Sequence, residues 1–251
     1  MSKETLYSKV KPGQIGDYVI FSGDPWRIER LVKNLSEVEH VAFAREFNTY
    51  TGTYKGIKIT VTSTGIGAPS AAIAMEEMYE VGMKVAVRMG TVMALQDDML
   101  GKFIIPVAAM RRESTSKTYV EEAYPAVADF DLVQTMNRTV KDMGADYVNG
   151  VNCTMDGFYS QMHDSKFSLE KKKDYAPLFE ELRELNVVGI DMESACMLTV
   201  GRLMGVKTCI VTMTTVLENL KDFLRGQERA DAEQLLCDVT LEGLFRFAVN
   251  K

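Results

Sequence analysis

Histidine is scarce in this chain: His40 and His163 are the only two in 251 residues. Its four cysteines, Cys153, Cys196, Cys209 and Cys237, stand far apart, with no Cys-x-x-Cys pair. These scarcities argue against a zinc site, which draws on those side chains at close spacing. Scattered thiols read instead as reduced residues of a cytoplasmic protein. No apolar run approaches the ~20 residues that span a bilayer. The opening Met1-Ser2-Lys3-Glu4-Thr5 leads into no apolar core of a secretory signal. An excess of positive charge is missing too. Asp and Glu number 35 against 29 Lys and Arg, a net charge of -6, whereas a sequence-independent nucleic-acid binder needs a basic face. Pro/Ser/Gly-rich linkers, low-complexity tracts and repeats are absent, which predicts one domain over residues 1–251.

What is present is an alternation. Short β-branched runs at 18–21, 57–62, 85–89, 103–107, 147–154, 187–190 and 208–212 read as strands. Helical patterns lie between them. One runs over 71–80 after Pro69 and stops at Gly82. A second starts near Asp129, places Leu132, Met136, Val140 and Met143 on one face and stops at Gly144. A third follows Glu193 and ends before Gly205. This order predicts an α/β domain with a central mixed, largely parallel sheet flanked by helices, and a ligand site beyond the carboxyl ends of the strands. The sixteen methionines fall mostly at core-like spacings, where they fill irregular gaps.

Arginines beside glycines mark the expected strand ends. Gly23-Asp24-Pro25-Trp26-Arg27 follows an apolar run, Arg88-Met89-Gly90-Thr91 closes another, and Arg45-Glu46-Phe47 supplies a third arginine. A glycine after a strand lets backbone amides approach an anion, and guanidinium forks match phosphate oxygens. For any one arginine, a surface ion pair worth little is the simpler reading. Cations gathered at strand ends in an acidic chain read as a site.

These segments, with Ser63-Thr64-Gly65-Ile66-Gly67-Ala68-Pro69-Ser70, Pro125-Ala126-Val127-Ala128-Asp129-Phe130 and Met192-Glu193-Ser194-Ala195, occur in the order and spacing of the nucleoside phosphorylases. Nearly the whole chain resembles that family, its uridine phosphorylase branch above all. The resemblance implies a phosphorylase fold, a nucleoside and inorganic phosphate as co-substrates, and pentose 1-phosphate and free base as products. It also implies a homo-oligomer whose dimers share sites and assemble into a hexamer, and a place in pyrimidine salvage. No other cofactor is required.

Carried over residue by residue, the resemblance gives the Gly23 amide, Arg27, Arg88 and Thr91 to phosphate, with Arg45 reaching a neighbour's site. Met192, Glu193 and Thr91 fall to the ribose, and Arg88 and Glu193 are the expected catalytic residues. Glu193 can equally open the following helix, where a carboxylate suits the dipole. Many relatives carry a histidine near the N-terminus that contacts the sugar 5′-hydroxyl; Tyr7 or Ser8 stands at about that place here. Glu46, Ile66 and Ser70 match positions that hold potassium between subunits in some uridine phosphorylases, or else form an ordinary interface cluster.

The base pocket departs from the pattern. Phe158 remains as an aromatic wall, but Met162 and Asp164 stand where uridine phosphorylases carry a glutamine and an arginine, and Glu218 stands near a second arginine's place. The purine branch's proton-donating aspartate is missing as well, since Thr214-Thr215-Val216 falls there. Gln161 or His163, shifted by a residue, or Asp164 itself, are the expected base contacts, with Asp164 favouring an amino-bearing base. A purine or other nucleoside phosphorylase, a nucleoside hydrolase and a non-catalytic nucleoside binder are the alternatives. The retained arginines weigh against the last two.

Overall fold

β-Branched runs set the strands, and Asp or Pro at the turns sets where helices begin. The computed structural model describes residues 4–218 and 222–250. Strand β1 (Tyr18–Ser22) leads into α1 (Pro25–Val32), followed by an antiparallel meander of β2 (Ser36–Ala44), β3 (Phe47–Tyr54) and β4 (Ile57–Ser63). Helix α2 (Ala68–Glu80) feeds β5 (Val85–Ala94), and the short strands β6 (Phe103–Ile104), β7 (Ala108–Arg111) and β8 (Ala126–Val127) precede α3 (Phe130–Asp142). Next come β9 (Tyr147–Val148), β10 (Val151–Thr154), α4 (Phe158–Gln161), α5 (Lys166–Glu170) and α6 (Ala176–Glu184). The described chain closes with β11 (Val187–Asp191), α7 (Ser194–Leu203), β12 (Lys207–Leu217) and α8 (Gly226–Val249).

All these strands join one mixed sheet in the order β2-β3-β4-β1-β5-β11-β10-β7-β8, with β12 beside β5 and linked through β6 to β9. Helices cover both faces. Alternate residues of β1 point to opposite sides, so Val19 and Phe21 pack with α2 and α7 while Ile20 packs with α1, α3 and α8. Each fully buried side chain of this kind contributes about 1.5–3 kcal/mol.

Strand β5 positions the site. One of its edges runs parallel to β12 from Val85 to Ala94. The other edge changes partner: β1 pairs parallel as far as Phe21 opposite Arg88, and β11 pairs antiparallel at Ile190 opposite Met93. The carboxyl ends of β1 and β11 therefore converge on residues 89–92 from opposite directions. A sheet that parts in this way opens a crevice at the strand ends, where ligands bind in α/β folds.

Several elements differ from the sequence reading. The strand expected at 147–154 divides into β9 and β10 because Asn149 turns its amide to the Ile105 carbonyl at 2.7 Å and exchanges bonds with Asn137. Residues 103–107 keep only β6, while β5 and β12 run further than expected. Met143 caps α3 in an exposed position rather than joining the buried face of Leu132, Met136 and Val140. The β2–β3 hairpin and α8 carry no proline or cap signal strong enough to have been read.

Candidate functional site

A cleft of about 600 Å³ occupies the crevice between β1, β5 and β11. Its first wall is the turn after β1. Asp24 caps α1 by accepting the Trp26 amide at 2.9 Å, and this cap with Pro25 in the first turn sets Arg27 inward. Arg27 is buried; its Nη1 donates to Ser22 Oγ at 3.1 Å and its Nη2 lies 3.6 Å from Glu233 of α8. Its Nε has no hydrogen-bond partner among the described residues. Burial pulls the Arg27 pKa below its ordinary value, against the upward pull of Glu233. Gly23 lets this turn lie close to the next loop, since a Cβ there would stand 3.0 Å from the Gly65 carbonyl.

The floor is the open edge of β5. Arg88, also buried, binds the Glu193 carboxylate through Nη2, and its Nη1 lies 3.7 Å from Asp191 Oδ2. That Nη1 is a second buried donor with no hydrogen-bond partner among the described residues. Burial lowers the Arg88 pKa, but Glu193 and Asp191 outweigh it and hold the guanidinium above its ordinary range. The fork folds back over Gly90, where a Cβ would come within 2.3 Å of Nη1. Thr91 follows, half-buried in the cleft lining.

At the end of β11, Asp191 accepts Thr154 Oγ1 at 2.8 Å, the Ser194 amide and the Ser194 hydroxyl. Glu193 stands at the N-terminus of α7 and accepts the Gly67 amide at 2.7 Å. It therefore opens the helix and lines the cleft at once. Met192 lines the cleft between these two carboxylates.

The opposite end is apolar. Val92, Met93, Phe158, Met162, Ile190 and Val216 line it, together with Thr215. A register shift between Thr214 and Val216 marks a bulge in β12 at this point, and bulges re-aim side chains beside sites. Phe158 stacks on His163 with ring centroids 5.4 Å apart.

The structure thus brings Gly23, Arg27, Arg88, Thr91, Met192, Glu193, Phe158 and Met162 into one cleft. It does not bring Gln161, His163 or Asp164 to that lining. The Gln161 side-chain Oε1 turns back to accept the Gly157 amide at 2.8 Å, and Asp164 is exposed. Glu218 binds Arg183, so its charge is already paired. Ser8 is no counterpart of a sugar-binding hydroxyl: it is fully buried, with its amide and hydroxyl on Glu77 at 2.7 and 2.6 Å. Arg45 and Tyr7 lie outside the lining of their own chain's cleft, where the exposed Arg45 guanidinium stacks 5.1 Å over the Tyr7 ring. Arg45 has a left-handed backbone, φ 55°, as a two-residue hairpin turn requires. Glu46 packs against Gly65, and Ser70 Oγ donates to the Gly67 and Ile66 carbonyls at 3.2 and 3.5 Å, so Glu46, Ile66 and Ser70 share one edge. Sequence reasoning missed Trp26, Val92, Met93, Ile190 and Thr215 as lining residues. Val92 and Met93 follow directly on Thr91, and that adjacency was the available signal.

The profile of the phosphorylase superfamily matches residues 17–240. A uridine phosphorylase of Thermococcus kodakarensis is 34% identical over 88% of this chain and 80% of its own length. A guanosine phosphorylase of Halorubrum lacusprofundi is 32% identical over 84% of each. The crystal structure of uridine phosphorylase from Vibrio fischeri ES114 superposes with a TM-score of 0.86 at 32% identity, covering 97% of this chain and 98% of that one. With a matched profile over most of its length and a cleft at the parting of β1 and β11, the chain belongs to the phosphorylase superfamily.

Proposed function

We propose that this cleft carries out phosphorolysis of a nucleoside, giving pentose 1-phosphate and free base. The observation that carries the reading is the pair of buried guanidinium groups, each with a donor unmatched within the described residues, at the convergence of β1 and β11. A buried donor without a partner costs free energy, and two such cations at strand ends suit an anion with several oxygens. In this reading Arg27, Arg88, Thr91 and the Gly23 amide hold phosphate, and Met192 and Glu193 hold the ribose. A phosphate oxygen attacks the anomeric carbon as the C–N bond breaks and its electron pair leaves with the base. Glu193 and the phosphate dianion stabilise the cationic sugar between them, while Arg88, bonded to Glu193, keeps both in position. The chain is a nucleoside phosphorylase, uridine phosphorylase-like in sequence and fold.

Arg45 and Tyr7 enter the scheme through a second copy. Their stacking presents both from one surface, and the adjoining Leu6, Phe43 and Ile66 are exposed at 70%, 62% and 77%. An apolar surface of that kind suits a subunit interface, so a homodimer, repeated into a hexamer, completes each phosphate site. Glu46, Ile66 and Ser70 bring oxygen atoms to that edge, and a hard cation such as potassium fits once the second copy adds its own. Four buried, unpaired thiols suit the reducing cytoplasm.

A panel of uridine, deoxyuridine, inosine and guanosine, incubated with and without inorganic phosphate, tests the reaction class. Cleavage confined to the phosphate arm is expected. Equal cleavage without phosphate would mean a hydrolase, and tight binding without turnover a non-catalytic receptor.

A further inference from the structure

The apolar end of the cleft raises a problem that phosphorolysis must solve. A neutral nucleoside expels its base as an anion, which needs a proton or a cation at the base to leave readily. Among the described residues, neither a cation nor a carboxylic acid lines that end; Met93, Met162 and Phe158 face it instead. Asp164, Gln161 and His163 lie outside the lining, His163 being stacked on Phe158 with its Nδ1 2.6 Å from the Asp164 carbonyl, and Glu218 is already paired with Arg183. Burying an anion against such a wall is costly. The polar end adds to the difficulty, since Asp24, Asp191 and Glu193 there offset Arg27, Arg88 and a neighbour's Arg45, leaving no cation to spare for the base. Once a phosphate dianion is bound, the cleft as a whole is negative.

Resting on the phosphorolysis reading, we infer that the preferred substrates are cationic N-ribosides, whose ring nitrogen is already quaternary and whose aglycone leaves as a neutral heterocycle. A phosphate oxygen bonds to the anomeric carbon, the C–N bond breaks, and its electron pair returns to the ring nitrogen, discharging the cation with no proton moved. The substrate's positive charge meets the carboxylates and the phosphate. Phe158 offers a π face to the cation, and the two thioethers give a polarisable wall. After departure, the neutral ring lies in an apolar pocket.

The test compares kcat/KM for nicotinamide riboside, 7-methylguanosine, uridine and inosine, each with and without phosphate. The two cationic nucleosides should exceed the neutral ones by about 100-fold or more, and whichever of the two leads shows whether one ring or two fits. Because cationic glycosides are also weaker bonds, the decisive arm is Met162→Arg, which sets a cation at the aglycone end. It should lower nicotinamide riboside cleavage and raise uridine cleavage, narrowing their ratio by at least about tenfold. A merely structural role for Met162 would lower both together. If the arginine variant fails to fold, Met162→Gln should shift the ratio the same way. Uridine or inosine matching the cationic substrates in the parent enzyme, or a ratio unmoved in the folded variant, would overturn the inference and leave phosphorolysis standing. No phosphate-dependent cleavage of any nucleoside would overturn both.

Discussion

Arg88 and Glu193 form a buried ion pair, and the Glu193 carboxylate also accepts the Gly67 amide at 2.7 Å. The relationship couples the proposed phosphate and ribose ends of the cleft through a single contact. Arg88→Ala should lower kcat/KM by about 100-fold or more, because it removes a charged donor from a desolvated site and leaves Glu193 without its cation. Glu193→Gln, which keeps the shape and loses the charge, should lower kcat more than it raises KM for phosphate. Steady-state kinetics with phosphate varied will check both, and an Arg88→Ala enzyme of near-normal kcat/KM would contradict the assignment.

Gly90 sets where the Arg88 fork can lie. A methyl group there would stand 2.3 Å from Nη1 and 2.9 Å from Cζ, so Gly90→Ala must push the guanidinium aside. The clash falls on the end of a flexible side chain, which limits the loss of stability to about 1–3 kcal/mol. Misplacing the fork by about an ångström should still cost roughly 100-fold in activity. Thermal unfolding beside kinetics separates these effects; unchanged kcat/KM would show that the Arg88 position is unimportant.

Arg45 gives a test of shared sites. In a mixed dimer of Arg45→Ala and Arg88→Ala subunits, one site carries both defects and the other neither. Random reassembly of equal amounts should therefore restore about a quarter of parental activity from two nearly inactive proteins. Failure to recover activity, with mixed dimers shown to form, would mean that Arg45 does not serve a neighbour.

Much of this was legible in the sequence, and for a physical reason. Glycines that admit close backbone approach and arginines at strand ends mark Gly23, Arg27 and Arg88 in the sequence itself, and the family resemblance adds Thr91 and Glu193. The β1, β5 and β11 strands were marked too, because β-branched runs show themselves locally. The parting of β5 between β1 and β11 was not, since strand order is a long-range property. Base-end residues fared worst. Gln161 ends the short helix α4 with its side chain turned to the Gly157 amide, and Asp164 lies exposed between α4 and α5; one-dimensional spacing does not resolve which way such residues face.

The thiols predict an alkaline limit. Burial pushes Cys153 and Cys237 up to about 12, from an ordinary value of 9.0, and raises Cys196 and Cys209 as well. The folded state therefore holds these protons more tightly than the unfolded chain. Their contribution to stability is fully present below pH 9 and is lost as pH rises toward 12. The denaturation midpoint should fall between pH 8 and pH 10.5, and a thiol reagent at pH 8 should react with the native protein far more slowly than with the unfolded chain. Rapid labelling of all four native thiols would contradict the burial that the account assigns them.

The central claim is that phosphate, held by Arg27 and Arg88, is the nucleophile. Phosphorus NMR of the enzyme with a cleavable nucleoside and inorganic phosphate measures it directly. The account predicts that inorganic phosphate declines mole for mole with base released, that a sugar 1-phosphate resonance grows in its place, and that cleavage ceases when phosphate is withheld. Base released at full rate with the phosphate signal unchanged and free pentose accumulating would contradict it.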